Sequence, residues 1–587
     1  MLANRRPFVL LDDARQGGVA RLYGECVRTV VAATPAAVKP ALETIREAVA
    51  GGLQAAGFLA YEAGEAFVSR PPPMTATQPL LWFGLFERHE RLSGNEVAAL
   101  LPDPAGAWIG APQPDIARGT YDSALARVLD LIRAGDIYQA NLTFAASVGF
   151  AGDPLAAYAR LRGEARSGYG AVVDTGEMTL LSLSPELFFS LDRDTLTCRP
   201  MKGTAPRGAT PAEDRALAAT LSSDAKQRAE NLMIVDLMRN DVSMVATAGS
   251  VAVPDLFTVE TYPTIHQMTS TVTATLAEGH DAVDVIAALF PCGSITGAPK
   301  QRAMAVIAEV EARARGAYTG CIGRIDEAGA AFNVAIRTIA ISGDGHATMG
   351  LGSGIVADSR ADEEWAECLA KAAFVTAGQR GFDLIETMAF DPEAGVLRLE
   401  RHLARMKASA EQFGYPFDRH AARNELQAAT FRLRAPRRVR LLLAPSGAVA
   451  IEVGAMPPGV GGAVPVAIVQ LPVPATDFRL RHKTTDRAFY DEARRLAGTA
   501  EVVFESAGVL TEGSFTSLFV SGDDGVLLTP PLARGLLPGI LREGLIAEGR
   551  AIERDVTRAD LGSGFFVGNA VRGLMPAIVA DANAATL

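Results

Sequence analysis

The sequence predicts an α+β chain of two domains, and three observations carry that expectation. At roughly 100–200 residues per domain, 587 residues need more than one core, and 49% apolar with 21% charged residues supplies the material. Strand-like and helix-like stretches alternate throughout, with no internal repeat or low-complexity tract. The pattern restarts near residue 377, where AAFVTAGQRGFD follows a helix through Lys371. The reading therefore divides the chain into residues 1–376, with an N-terminal part at 1–117 and a main part at 118–376, and residues 377–587.

Taken in order, residues 1–117 alternate strands and short helices and end in the Pro- and Gly-rich LPDPAGAWIGAPQPD. From Tyr121, YDSALARVLDLIRAGD has apolar residues at helical spacing. Strands follow near 171–173 and 180–183, then one long amphipathic helical region over about 211–238. Beyond 377 come a strand, the helix HLARMKASAEQFG and further strands.

The net charge of −11 disfavours general binding to nucleic acid or anionic membranes. No stretch reaches the ~18 apolar residues of a membrane span. The opening MLANRRPFVLLDDARQGG has too short an apolar run for a signal segment, so a cytoplasmic protein is expected. Five cysteines with no CxxC spacing point to reduced, buried thiols.

Lysine occurs seven times against 49 arginines. A bias toward Arg makes each retained Lys a candidate for amine chemistry, because a guanidinium stays protonated and is no nucleophile. Lys202, in RPMKGTAPRG, is flanked by turn-forming residues and is either a surface charge or such an amine. In AENLMIVDLMRNDV, Asp236 and Arg239 read as a pair on a helix face, and Glu230 as a charge complementing the helix dipole. In GLGSGIVADSRADEEWAECLAK, Glu364, Glu367 and Lys371 share one helix face. That face is either solvated or offers two carboxylates to a hard cation such as Mg²⁺. The preceding glycines let backbone N–H groups approach an anion. FPCGSITGAPKQRAM is a turn opening a helix, a carboxylate site only in the right company.

Together with IRAGDIYQANLT, TYPTIHQMTSTV and AIRT, these segments resemble the chorismate-utilising enzymes over about residues 120–375. That family includes anthranilate, isochorismate and salicylate synthases and component I of aminodeoxychorismate synthase. The resemblance implies a β-sandwich with surrounding helices and Glu230, Glu364 and Glu367 around Mg²⁺. It implies His266 near the leaving hydroxyl or in proton transfer. It places Ser294, Thr296, Gly297, Ala298, Tyr318, Arg337, Gly352, Gly354 and Lys371 along the substrate, chorismate. MKGT resembles the aminodeoxychorismate synthases, whose lysine attacks C2 of chorismate before ammonia adds at C4; this gives Lys202 that role. No GxCxG glutaminase elbow is present, so ammonia, from a separate glutamine amidotransferase or free, is implied.

Beyond 377 the lysines are Lys407, a surface charge in its helix, and Lys483, in FRLRHKTTDRAFYDEARR where a strand gives way to a helix. Glu512 precedes a later strand, and LLPGIL opens a helix at 539–541. One lysine, one acid, and a helix N-terminus plus an arginine for the phosphate are what a pyridoxal phosphate site needs. Order and spacing over about 382–580 resemble the class IV aminotransferase fold, an α/β domain shared by amino-acid aminotransferases and 4-amino-4-deoxychorismate lyase. The resemblance implies Lys483 as Schiff-base residue and base, and Glu512 at the ring nitrogen. It implies Arg405, Ile540 and Leu541 at the phosphate, with Asn569 and Ala570 near it. The opening is shortened and Ser517 replaces a frequent Asn. The expected whole is a bifunctional enzyme making 4-aminobenzoate, dimeric through the second domain. The alternatives are an amino-acid aminotransferase or inactive second domain, anthranilate synthase chemistry in the first, or a non-catalytic metabolite sensor.

Overall fold

The computed structural model describes residues 2–68, 78–262, 265–311, 313–459, 461–522 and 525–580. It divides into two compact units. Unit 1 runs to Leu101 and includes Ala111–Val148 and Tyr158–Gly378; unit 2 is Pro102–Gly110, Gly149–Ala157 and the chain from Gln379.

Unit 1 holds two ten-stranded antiparallel sheets. Period-2 alternation aims Val9, Ala171, Val173 and Leu180 of one sheet and Ala56, Phe58, Trp82 and Ile322 of the other into one buried cluster. The sheets are thus the two layers of a sandwich. Helices Pro35–Ala50, Ala225–Ser243 and Ala282–Leu289 bury Leu42, Ile45, Ile234, Met238 and Ile286 with Phe83, Phe189 and Phe332 of the second sheet.

The single helical region expected over 211–238 is two helices, Pro211–Ser223 and Ala225–Ser243. Asp224 is extended between them, and its carboxylate accepts from Gln227 N–H at 2.8 Å, capping the second helix. Glu230 is therefore in the second turn, past the N-terminal charge position that the sequence suggested.

Unit 2 contains a four-stranded antiparallel sheet and an eight-stranded mixed sheet. In the second, strand Val464–Gln470 runs parallel to both Glu501–Ser506 and Gly573–Val579. The two short stretches drawn from before residue 160 pair as strands Ala107–Ile109 and Phe150–Gly152. Trp108 stands edge-on to Phe413 at 5.0 Å, in a cluster with Phe382, Leu403 and Phe478. Gln379 closes a two-way bond with the Ile109 backbone at 2.9 and 3.0 Å. Among the described residues no helix is long and apolar enough to cross a membrane.

Candidate active sites

In unit 1, Lys202 lies on edge strand Met201–Pro206 rather than in a turn. The pairing with Ile265–Thr275 slips between Met201 and Thr204, and Gly203 takes φ +98° there. This bulge re-aims the lysine. The carbonyls it frees accept from Asn231 Nδ2 (3.3 Å, at Lys202) and Gln267 Nε2 (2.7 Å, at Gly203).

The Lys202 amine ends against Gly354, where an added Cβ would meet Nζ at 2.5 Å and Gln139 Nε2 at 3.1 Å. Both polar atoms of the fully buried Gln139 side chain lack a partner among the described residues. Burial pushes the Lys202 amine below its ordinary pKa and nearby Lys371 adds to this, while Glu230, Glu367 and Glu364 oppose it. These four side chains therefore share one electrostatic neighbourhood with Lys202.

Glu364 accepts from Ser359 Oγ at 2.7 Å. Glu367 pairs with Lys371 at 2.7 Å, and Lys371 also donates to Gly352 O at 3.0 Å. Among the described residues the Glu230 carboxylate has no hydrogen bond or ion pair; burial raises its pKa, and nearby Lys202 and Lys226 oppose this. No three metal-ligating groups close on one point among the described residues. A half-buried carboxylate without a partner beside two more suits Mg²⁺, which takes one or two carboxylates with water and substrate oxygens.

Ser294 lies within the short turn Gly293–Ile295, and Thr296 ends it. Arg315, buried against Glu311, donates to Ile295 O (3.1 Å) and Asn141 O (2.6 Å), fixing that turn on strand Gln139–Val148. Gly297 and Ala298 pair with Ala140 and Gln139 of the same strand. The Tyr318 ring lies against Gly350, where any Cβ would overlap it. Arg337 has φ +51° and no carboxylate partner among the described residues, and burial lowers its pKa. A sheltered guanidinium without a counter-ion is a ready carboxylate site.

His266 is held at both nitrogens. Nε2 is hydrogen-bonded to the Asp214 carboxylate at 2.8 Å and Nδ1 to the Thr261 hydroxyl at 3.0 Å. Pro263 and Thr264 of the same sequence stretch lie outside the described residues. Asp236 pairs with Arg239 at 2.9 Å on the surface, as the spacing suggested.

Glu186 was not singled out in the sequence. It is buried, accepts from Ser294 Oγ at 2.8 Å, and is pushed up to about 7 by burial, with Ser294 and Lys202 opposing. Its signal was a lone acid inside the apolar run LSLSPELFFSL.

In unit 2 a cavity of about 480 Å³ is lined by Lys483, Glu512, Arg405, Ile540, Leu541, Asn569 and Ala570, among others. Lys483 is in an irregular segment, not at a strand end; its carbonyl accepts from Ile385 N–H at 2.9 Å. Burial lowers its amine from 10.5 to about 7; Glu386 opposes this, and Arg405, Arg487 and Arg440 reinforce it. Glu512 is the penultimate residue of strand Val509–Gly513 and accepts from Tyr490 Oη (2.7 Å) and Leu537 N–H (3.0 Å); burial pushes it up to about 7. Helix Ile540–Ala547 opens at Gly539, where a Cβ would collide with Ser517 Oγ. The backbone there can approach an anion closely. Arg405 faces the cavity, but Glu386 takes it in a fork at 2.8 and 2.7 Å and Pro538 O accepts at 2.8 Å. Asn569 is braced by Val571 and Arg572 N–H at 3.0 Å each. Lys407 is exposed and pairs with Glu411 at 3.5 Å. An enclosed amine, a buried acid and a glycine-opened helix terminus fit pyridoxal phosphate.

Residues 24–377 match the family model of chorismate binding enzymes, and residues 383–578 that of class IV amino-transferases. The chain belongs to the chorismate binding enzyme family and carries a second, aminotransferase-type domain; it is an enzyme. It is 38% identical over 344 residues to aminodeoxychorismate synthase component 1 of Escherichia coli, spanning 54% of this chain and 75% of that protein. With the Salmonella typhimurium protein of the same description it shares 42% over 266 residues, 45% of this chain and only 58% of that protein's length. The crystal structure of anthranilate synthase component I from Streptococcus pneumoniae is similar with a TM-score of 0.53 at 27% identity, covering 61% of this chain and 92% of that one.

Proposed function

We propose that the chain makes 4-aminobenzoate from chorismate and ammonia in two steps, one in each unit. The observation that carries the first step is the Lys202 amine, delivered by a bulge into a neighbourhood of carboxylates and weakened as a base by burial. In this reading Lys202 Nζ, when neutral, attacks C2 of chorismate, and the C4 hydroxyl leaves as water with a proton from Glu186. Glu186 suits that task because its pKa of about 7 keeps part of it protonated at neutral pH. Ammonia then bonds to C4 and the C2–N bond to Lys202 breaks, giving 4-amino-4-deoxychorismate with its pyruvyl group retained. Arg337 and the turn at Ser294–Ala298 hold the substrate carboxylates. Glu230, with Glu364 and Glu367, would hold Mg²⁺, which supplies charge neutralisation at the carboxylate and leaving oxygen. A separate glutamine amidotransferase supplies the ammonia.

In the second step pyridoxal phosphate, when bound, supplies an electron sink. Lys483 would carry it and move the ring proton, Glu512 would face its ring nitrogen, and Gly539–Leu541 with Ser517 would receive its phosphate. Loss of pyruvate then leaves an aromatic amine. The cytoplasmic setting and a dimer through unit 2 belong to the same proposal.

The test is the purified chain with chorismate, Mg²⁺, ammonia and pyridoxal phosphate, following 4-aminobenzoate and pyruvate. Lys202→Ala and Lys202→Arg should both lose amination yet still release pyruvate from supplied aminodeoxychorismate, and Lys483→Ala should do the reverse. Anthranilate as product, or full amination by Lys202→Arg, would refute the reading.

A further inference from the structure

Arg487, four residues after Lys483, precedes helix Ala488–Ala497 and lines the same cavity. Its guanidinium is fixed on two sides: Nη2 donates to Ser514 O at 2.9 Å, and the group lies 4.2 Å from the centre of the Tyr490 ring. The other terminal nitrogen, Nη1, is fully enclosed and has no partner among the described residues. An enclosed, charged donor left unmatched is costly and calls for an explanation.

Among the described residues no acid of the cavity wall hydrogen-bonds or ion-pairs with Arg487, although Glu512 lies close enough to feel its charge. Of the wall's two acids, Glu512 has one oxygen taken by Tyr490 Oη and the other by Leu537 N–H, and Asp491 pairs with Arg494 at 2.6 Å. Glu386, behind the wall, is committed to Arg405 and His402. An anion arriving with what the cavity binds would give this arginine a direct partner.

We propose that Arg487 is a ligand-binding residue whose guanidinium, lining the cavity with no ion pair among the described residues, meets an anionic oxygen of the bound molecule beside Lys483. The oxygen belongs either to the cofactor or to a substrate carboxylate. This rests on the reading of the cavity as a pyridoxal phosphate site. Arg487 adds a cation that the sequence reading did not assign, on the element that also supports Glu512 through Tyr490.

The test uses the full chain freed of cofactor, as wild type, Arg487→Gln and Arg487→Lys. Pyridoxal phosphate is titrated by absorbance, KM for aminodeoxychorismate is measured by pyruvate release, and unfolding of the cofactor-free proteins is followed by circular dichroism. A charge-assisted bond in an enclosed site corresponds to about tenfold to a hundredfold in affinity. If the oxygen is the cofactor's, Arg487→Gln weakens pyridoxal phosphate binding by that factor. If it is the substrate's, cofactor affinity holds and KM rises by that factor. Arg487→Lys recovers part of either loss, and it stands in should the Gln variant not fold. Cofactor affinity and KM both within about twofold of wild type, in a folded variant, overturn the proposal. Wild-type protein that binds no pyridoxal phosphate overturns the site reading itself, and the assignment with it.

Discussion

Lys483 should capture pyridoxal phosphate at neutral pH, and the pH dependence of that capture is set by its enclosure. Burial takes the amine from 10.5 to about 7. Each pH unit is worth about 1.4 kcal/mol, so the pocket favours the neutral amine by roughly 5 kcal/mol. At pH 7 about half of the lysine is free to react, against roughly one part in three thousand for an ordinary lysine. The same figure has a thermodynamic face. Between about pH 7 and 10.5 the unfolded chain keeps a proton on this lysine that the folded chain has lost. Stability of the cofactor-free protein therefore rises with pH across that window, and the destabilisation is fully present below it. The assay mixes cofactor with cofactor-free protein from about pH 6 to about pH 10 and follows the absorbance of the bound cofactor. The rate should climb tenfold per pH unit below about 7 and then level off. A rate still climbing tenfold per unit beyond pH 9 would refute the argument from burial.

Glu186→Gln should lower chorismate consumption by about a hundredfold or more, the range of a lost proton donor. In the wild type, a carboxyl at about 7 has to be protonated to act, so this activity should fall as pH rises through 7, and the variant should lack that fall. Gly354→Ala puts a methyl group 2.5 Å from the present position of Lys202 Nζ. Because the nearest atom in the way is the tip of a flexible chain, the fold should lose about 1–3 kcal/mol at most. Amination should fall about a hundredfold from the misplaced amine, with pyruvate release from supplied aminodeoxychorismate unchanged. Unchanged amination would mean that the lysine works from elsewhere. Tyr490→Phe removes one of the two donors to Glu512 and should move the pH at which the absorbance of the bound cofactor changes. A titration identical to wild type would make the phenol dispensable.

The two lysines were legible because lysine is scarce here and side-chain chemistry is written in residue identity. Lys407 read as surface from its helix, and it is exposed. The sandwich and the second α/β unit are expected from the resemblance that the quoted motifs carry, and both are present; the strand order and the mixed sheet are not legible in the sequence. What stayed hidden depends on contacts far apart in sequence. Glu186 gains its environment from Ser294, 108 residues away. Gln139 stood inside a quoted motif, yet nothing local told that both its polar ends would be enclosed beside Lys202. The break at Asp224 was missed because apolar spacing runs on across it, and only the cap separates the helices. The resemblance implies Arg405 at the phosphate, and it lines the cavity; its pairing with Glu386 is a contact that sequence order does not reveal.

Trp108 and its neighbours bear on how this protein can be dissected. The core of unit 2 is finished by residues the ribosome delivers some 270 positions before Phe382 and 300 before Phe413 are all in place. A gene fragment starting at Gln379 would encode Lys483 and Glu512 but leave bare the aromatic wall that Trp108 covers, and leave Gln379 without the Ile109 backbone. Such a fragment should come out insoluble or short-lived until a peptide containing residues 102–110 is added back. Cutting the chain at the seam the sequence suggests, near residue 377, would therefore take from unit 2 part of its own core.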